Sequence, residues 1–358
     1  MIKSLKKLGH TVKECHVSLW GNKIDKTKSF SGIFGKLLLM LKLLSIYPRL
    51  FLKYLFVGQY DVMFVGYFGH LDMFFAKLFS ILTFRRKKII FDAFISLYDT
   101  MVSDRKMLKE HSFFSKIVFW LDKLSCRLAD TVILDTNAHI DFFHKTFNVT
   151  KEKMVRIFAS ADTDVFYPRQ VKKDNNVFNV LFMGKYTPLH GIKYIVEAVE
   201  TLRENKDIKF TFIGKGQLYP EIRQMVKGKK LDNIEFIEWV EYEKLPDYIA
   251  RADVCLGIFG NSDKAARVIP NKVFQTMGMG ICVLTMESQG IKELLVNGEN
   301  AVLCNMANPK SITESIKLLK SNSDFLNTLR SNGYNTFTEF CGYNGICRCI
   351  GMILNNRV

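Results

Sequence analysis

Residues 269–293 read IPNKVFQTMGMGICVLTMESQGIKE, a helix start aimed at an anion followed by a buried strand. Pro270 suits a first helical position, where its missing N–H costs nothing. The free N–H groups of Asn271, Lys272 and their successors can then face a phosphate, and Lys272 adds charge. Gln275 lies on the same helix, less than a turn beyond Lys272. Val273, Phe274 and Met277 form the apolar face, Gly278 and Gly280 stop the helix, and Ile281 to Thr285 reads as a strand buried on both faces. Taken alone, the segment also fits any helix and strand of an α/β sheet.

Working outward, the second half alternates strand and helix. Strands are expected at 178–183, 208–213, 234–239, 253–258 and 301–304, with helices at 191–202, 218–226, 244–250 and from 311 and 324. Strands that are apolar throughout, separated by helices, make a parallel sheet covered on both faces, which binds its ligands at the strands' carboxyl ends. The first half follows the same plan less regularly, with strands at 11–16, 62–65, 88–91 and 131–134 and a helix over 113–129. The polar stretch 169–176 is the natural linker, so two α/β layers enclose a cleft where chemistry is expected.

The whole chain has 358 residues, enough for about two domains. With 48% hydrophobic and 24% charged residues it is globular, and no run of ~18 apolar residues suggests a membrane span. No secretion signal is evident in the opening MIKSLKKLGHTV. Eight scattered cysteines, several inside expected elements, favour a reducing cytoplasm. Cys341, Cys347 and Cys349 lack the CxxC pairing of a zinc site.

The net charge of +16 is uneven: residues 1–170 hold 27 Lys and Arg against 15 Asp and Glu, the remainder 24 against 20. Within residues 1–60 the cations alternate with Leu, Phe and Tyr. That pattern suits peripheral contact with anionic lipid at the inner face of a membrane, or a phosphorylated acceptor. Nucleic acid is the weaker reading, because no recognition motif accompanies the charge, and a merely solvated basic face also fits.

Two further loops extend the opening segment. FNVLFMGKYTPLHG (178–191) is a strand ending in Gly184, a loop with Lys185 and a helix start at His190–Gly191. IGKG (213–216) repeats the logic one strand later, Gly214 and Gly216 allowing close approach, although taken alone a plain tight turn is the favoured reading. Asp162–Thr163–Asp164 matches a DxD metal motif in form but reads as a turn before the linker. His70 is a cleft candidate that a structural role also explains.

The motifs FMGKYTPLHGIKYIVEAV, FIGKG, FIEWV with LPDYIARADVCLGIF, and IPNKVFQTMGMGICVLT with ESQGIKELLVNGENAVL cover 178–304 in an order that resembles glycosyltransferase family 4. The resemblance implies a GT-B fold: an N-terminal Rossmann-like acceptor domain over 1–169, a nucleotide-sugar domain over 170–340, and a C-terminal helix in 341–358 packing back on the first domain. It implies a retaining glycosyltransferase using a nucleotide-sugar donor and a glycan or lipid-linked acceptor for cell-surface polysaccharide or glycolipid synthesis, with no cofactor and no metal. Lys185 falls where the family holds the donor diphosphate, and His190 where a second basic residue usually stands. Gln275 replaces the family's ribose-binding glutamate and Arg267 the glutamate eight residues earlier, where it could approach phosphate. Glu293 matches a later family acid that would help fix the loop Ser288 to Gly290 near the sugar. Gly184, Gly214, Gly216, Val240, Asn271 and Lys272 complete the donor site. Asp92, after the 88–91 strand, is the candidate for acceptor orientation or base work, or else an N-cap.

The family's usual first strand and glycine-rich loop are expected to be missing, because the phrase SLKKLGHTV that normally follows them starts at residue 4. A late start is the preferred reading over truncation. The missing acid pair keeps a non-catalytic partner subunit open as an alternative, alongside a GT-B nucleotide-sugar epimerase.

Overall fold

The computed structural model describes residues 1–18, 45–174 and 176–355. Two parallel sheets carry it. The first contains β1 (Val62–Val65), β2 (Lys88–Asp92), β3 (Thr131–Leu134) and β4 (Met154–Arg156) in that spatial order. The second contains β5 (Phe178–Met183), β6 (Ile208–Ile213), β7 (Ile234–Ile237), β8 (Val254–Leu256), β9 (Cys282–Met286) and β10 (Val302–Cys304), ordered β10-β9-β8-β5-β6-β7. The chain therefore winds one way from β5 and the other way from β8. Between those two strands lies the switch point, where a doubly wound sheet opens a crevice at its carboxyl edge.

The period-2 geometry of strands explains why this sheet is apolar throughout. Phe178, Val180 and Phe182 of β5 enter one core with Ile195, Val199 and Ile312. Leu181 and Met183 enter the opposite core with Val273, Phe274 and Met277. The first sheet divides likewise: Ile89 and Phe91 pack with Phe143 and Phe147, while Ile90 and Ile133 meet Leu5, Ile346, Ile350 and Ile353. Those last isoleucines, spaced i, i+4, i+7, form one stripe of the Tyr343–Leu354 helix. The chain's end thus covers a face of the N-terminal sheet, and Lys88 Nζ holds the Ile353 carbonyl at 2.9 Å.

The expected strand over 11–16 is absent. Residues 10–18 are irregular and no described strand pairs with them. Without a ladder partner, alternating apolar residues do not make a strand. Of the apolar stretch 34–58, residues 34–44 lie outside the described residues, while 45–56 are helical. All eight cysteines are free. No helix among the described residues is long and apolar enough to cross a membrane.

Candidate functional site

The crevice at the switch point is lined by Gly184, at the end of β5, and by the helix Asn271–Gly278. Pro270 caps this helix, with extended backbone, rather than opening it, so Asn271 is the first helical residue. Lys272 is 6% exposed, and its ammonium has no hydrogen-bond partner. It lies 3.9 Å from the centre of the Phe182 ring and about as close to Gly184, where an added Cβ would stand 3.8 Å from Nζ. Burial drives its pKa well below the ordinary lysine value.

His190 reaches the same glycine: Nε2 is 3.4 Å from where a Gly184 Cβ would stand, and Nδ1 meets Thr187 Oγ1 at 3.0 Å. Its pKa is also lowered well below the usual value, by burial first, then by the Lys272 and Arg105 charges, against a hydrogen bond with the Lys185 backbone. Lys185 itself is exposed at the loop tip. Gln275, half-buried on the helix's next turn, bonds the Tyr242 hydroxyl.

The glycines serve packing between loops. A Cβ on Gly214 would stand 2.1 Å from the Gly184 carbonyl, and one on Gly216 would stand 2.6 Å from the Tyr186 nitrogen. Their close approach is therefore backbone to backbone, which fixes the two strand ends side by side. Val240 packs against the core beneath.

Across the cleft, Asp92 ends β2. Its Oδ1 faces the Phe94 N–H at 3.4 Å, a local turn contact; no helix starts here, so it is no N-cap. Burial pushes its pKa up to about 6; the Phe94 N–H and the N-terminal amine oppose this, and Asp135 adds to it. Arg105, which sequence reasoning passed over, follows the π-helical turn Asp99–Asp104. Its Nε is buried without a partner, and its charge is felt by His190 on one side and Tyr67 on the other. The loop VSDRKMLKE has no motif that would have flagged it.

Two expected donor residues are engaged elsewhere. Arg267 Nη2 holds buried Asp99 Oδ1 at 2.8 Å, and its guanidinium stacks 4.1 Å from the centre of the Phe142 ring. It therefore ties the domains together instead of approaching phosphate. Glu293 receives the Asn137 and Ala138 N–H groups at 2.8 Å each, at the N-terminus of the helix Asn137–Phe147, and Arg156 at 3.1 Å. This carboxylate caps a helix of the opposite domain. Lys264 adds a bond to Thr100 Oγ1 at 2.5 Å, and the Leu189 N–H reaches Asp104, pinning the 184–191 loop across the cleft.

His70 is structural: Nε2 lies 2.9 Å from buried Asp122, which also holds Ser96, Leu97 and Tyr98 and so shapes the segment leading to Asp99. In the DxD sequence, Lys3 bridges Asp162 and Asp164. No metal-binding cluster occurs among the described residues.

Residues 177–322 match the family described as "Glycosyl transferases group 1". This segment is similar to a group 1 glycosyltransferase domain. An uncharacterized glycosyltransferase of Methanocaldococcus jannaschii is 25% identical over 184 residues, 51% of this chain and 48% of that protein. Chitobiosyldiphosphodolichol beta-mannosyltransferase of Candida albicans is 24% identical over 254 residues, 64% of this chain and 53% of that protein. The chain thus spans about half the length of the curated relatives it matches. Among solved structures, sucrose-phosphate synthase from Thermosynechococcus elongatus superposes with TM-score 0.70 at 15% identity, covering 94% of this chain and 80% of that one. The Anabaena protein HepE in complex with UDP superposes with TM-score 0.66 at 15% identity, covering 91% and 90%. The two sheets with their helices together make a GT-B fold.

Proposed function

We propose that this chain is a retaining glycosyltransferase of family 4, moving a sugar from a nucleotide-sugar donor to a glycan or lipid-linked acceptor in cell-surface polysaccharide or glycolipid synthesis. Lys272 carries the reading. A buried ammonium without a partner is costly, and an arriving anion would remove that cost. Here it waits beside a helix N-terminus at a strand switch point, with His190 against the same glycine, as a diphosphate site requires. The similar HepE structure holds UDP, and the similar Candida protein is named for mannose transfer onto a lipid-linked sugar.

In this reading the diphosphate lies along Gly184 and Lys185, against Lys272, the Asn271 end of the helix, and His190. Gln275, steadied by Tyr242, meets the ribose. The acceptor oxygen bonds to the sugar's anomeric carbon on the face from which the diphosphate departs, and the leaving phosphate oxygen takes the acceptor proton. No side-chain nucleophile and no metal are then needed, because the preorganised cations stabilise the developing charge. Asp92 orients the acceptor hydroxyl.

The membrane contact also belongs here. Phe113, Phe114 and Trp120 are exposed on the helix Phe113–Leu128 beside Lys116 and Lys123, and Leu82 and Phe84 are exposed beside Arg86 and Lys87. Each cation near anionic lipid contributes about 1 kcal/mol. Cosedimentation with phosphatidylglycerol vesicles but not with phosphatidylcholine vesicles is the expected result, and equal recovery with both removes the contact. The engaged Arg267 and the acid lost at Gln275 favour a second reading, a non-catalytic partner subunit. A panel of nucleotide sugars, assayed for binding, hydrolysis and transfer, separates them: binding without turnover supports the partner subunit. If none binds and Lys272→Ala changes nothing, the donor-site reading fails.

A further inference from the structure

At the carboxyl end of β1 the chain makes a tight turn, Gly66–Tyr67–Phe68–Gly69, closed by the Gly69 N–H on the Gly66 carbonyl at 3.0 Å. A Cβ on Gly69 would stand 2.5 Å from Val65 Cγ1, so only glycine closes it. Phe68 sits at φ +70°, the left-handed region that a bulky residue avoids. The turn spends this strain on holding two aromatic rings outward: Tyr67 is 48% and Phe68 62% exposed. The Tyr67 ring meets Phe68 edge-on at 5.3 Å and Phe94 at 5.5 Å. Phe94 is the residue whose N–H faces Asp92. Asp92 and Arg105 both act electrostatically on the Tyr67 hydroxyl, and Arg105 also acts on His190.

Core packing gives no reason to strain a phenylalanine into water. Strained residues gather at ligand sites, where the surroundings over-determine them. An exposed aromatic edge beside a carboxyl and a guanidinium offers an apolar face and hydrogen-bonding groups within one small area. A pyranose has the matching pair of surfaces, a C–H face and a rim of hydroxyls. We propose that Tyr67, Phe68 and Phe94 form the platform on which the acceptor's sugar ring stacks, with Asp92 receiving one of its hydroxyls and Arg105 standing between this platform and the diphosphate end. The proposal rests on the transferase reading above and supplies its acceptor subsite.

The test is saturation-transfer NMR on the full chain with a panel of methyl glycosides of glucose, mannose and N-acetylglucosamine, alongside a UDP titration. At least one glycoside is expected to receive saturation at its ring protons, the effect falling about tenfold or more in Tyr67→Ala and in Phe68→Gly while UDP affinity stays within twofold. Phe68→Gly suits the left-handed backbone, so its thermal midpoint is expected to hold or rise, which separates loss of the ring from loss of the fold. Lys272→Met is expected to leave the glycoside signal intact. No glycoside signal in the unmodified chain, or signals unchanged in both platform variants, overturns the platform. Absence of UDP binding with the glycoside effects intact contradicts the donor reading and leaves the platform standing.

Discussion

The two sheets end at one cleft in opposite styles. The C-terminal strands finish in glycines whose backbones touch, with His190 and the buried, unpartnered Lys272 behind them. The N-terminal strands finish in half-exposed aromatics and the carboxyl of Asp92. On the proposed function, the difference follows from what each side would meet. A diphosphate is bound best by charges already desolvated and fixed, at a stability cost before it arrives. A neutral, hydroxylated acceptor asks for apolar area and a hydrogen-bond acceptor, which stay in water at little cost. The sides are held in register by the Arg267–Asp99 pair and the Glu293 cap.

The contrast can be broken most directly at Lys272. Lys272→Met is expected to lower kcat/KM for the donor about 10²- to 10³-fold while raising the thermal midpoint, because a buried unpaired ammonium is replaced by a side chain of similar volume. The pH dependence has a definite sign. With the folded pKa lowered, the unfolded chain binds more protons between that value and the ordinary lysine value, so wild-type stability rises with pH through this window. The variant should lack that rise in pH-dependent denaturation.

Next in size are the contacts that join the sides. Glu293→Ala removes acceptors for two helix N–H groups and Arg156, and is expected to cost about 2–4 kcal/mol in chemical denaturation. Arg267→Ala, leaving Asp99 buried without its partner, is expected to cost about 1–3 kcal/mol. If both variants unfold like the wild type, the latch holds nothing.

A smaller effect belongs to Asp92. A carboxyl titrating at about 6 predicts an acid limb in turnover near that pH. Because its folded pKa is raised, its contribution to stability is full below the unfolded value of about 3.9 and is lost as pH rises through about 6. Asp92→Asn should flatten that slope, by on the order of 2 kcal/mol after solvent screening, and remove the acid limb; an unchanged limb reassigns it. The smallest effect is expected at exposed Lys185, where Ala should raise the donor KM only about two- to tenfold.

How much of this was legible depended on whether a residue's role was local. Strands β5 to β10 and the helix at 271–278 were readable because each carries its own period and its own stop signals. The position of Lys272 and Gln275 on that helix, and of Lys185 and His190 in the loop after β5, was readable because those elements announce themselves. Residues 11–16 failed as a strand because strandness needs a neighbour that the sequence does not announce. The cross-cleft contacts of Arg267 and Glu293 were not legible because their partners, Asp99 and the Asn137–Phe147 helix, lie more than 150 positions away in chain order. Arg105 carried no local pattern, and nothing in the residues 66–69 announced a strained turn.

The central claim is that Lys272 is buried in order to receive a diphosphate. Calorimetric titration of the intact chain with UDP, beside Lys272→Met, tests it directly. The account predicts measurable binding by the wild type and at least ~100-fold weaker binding by the variant. Equal UDP affinity in the two proteins would contradict it.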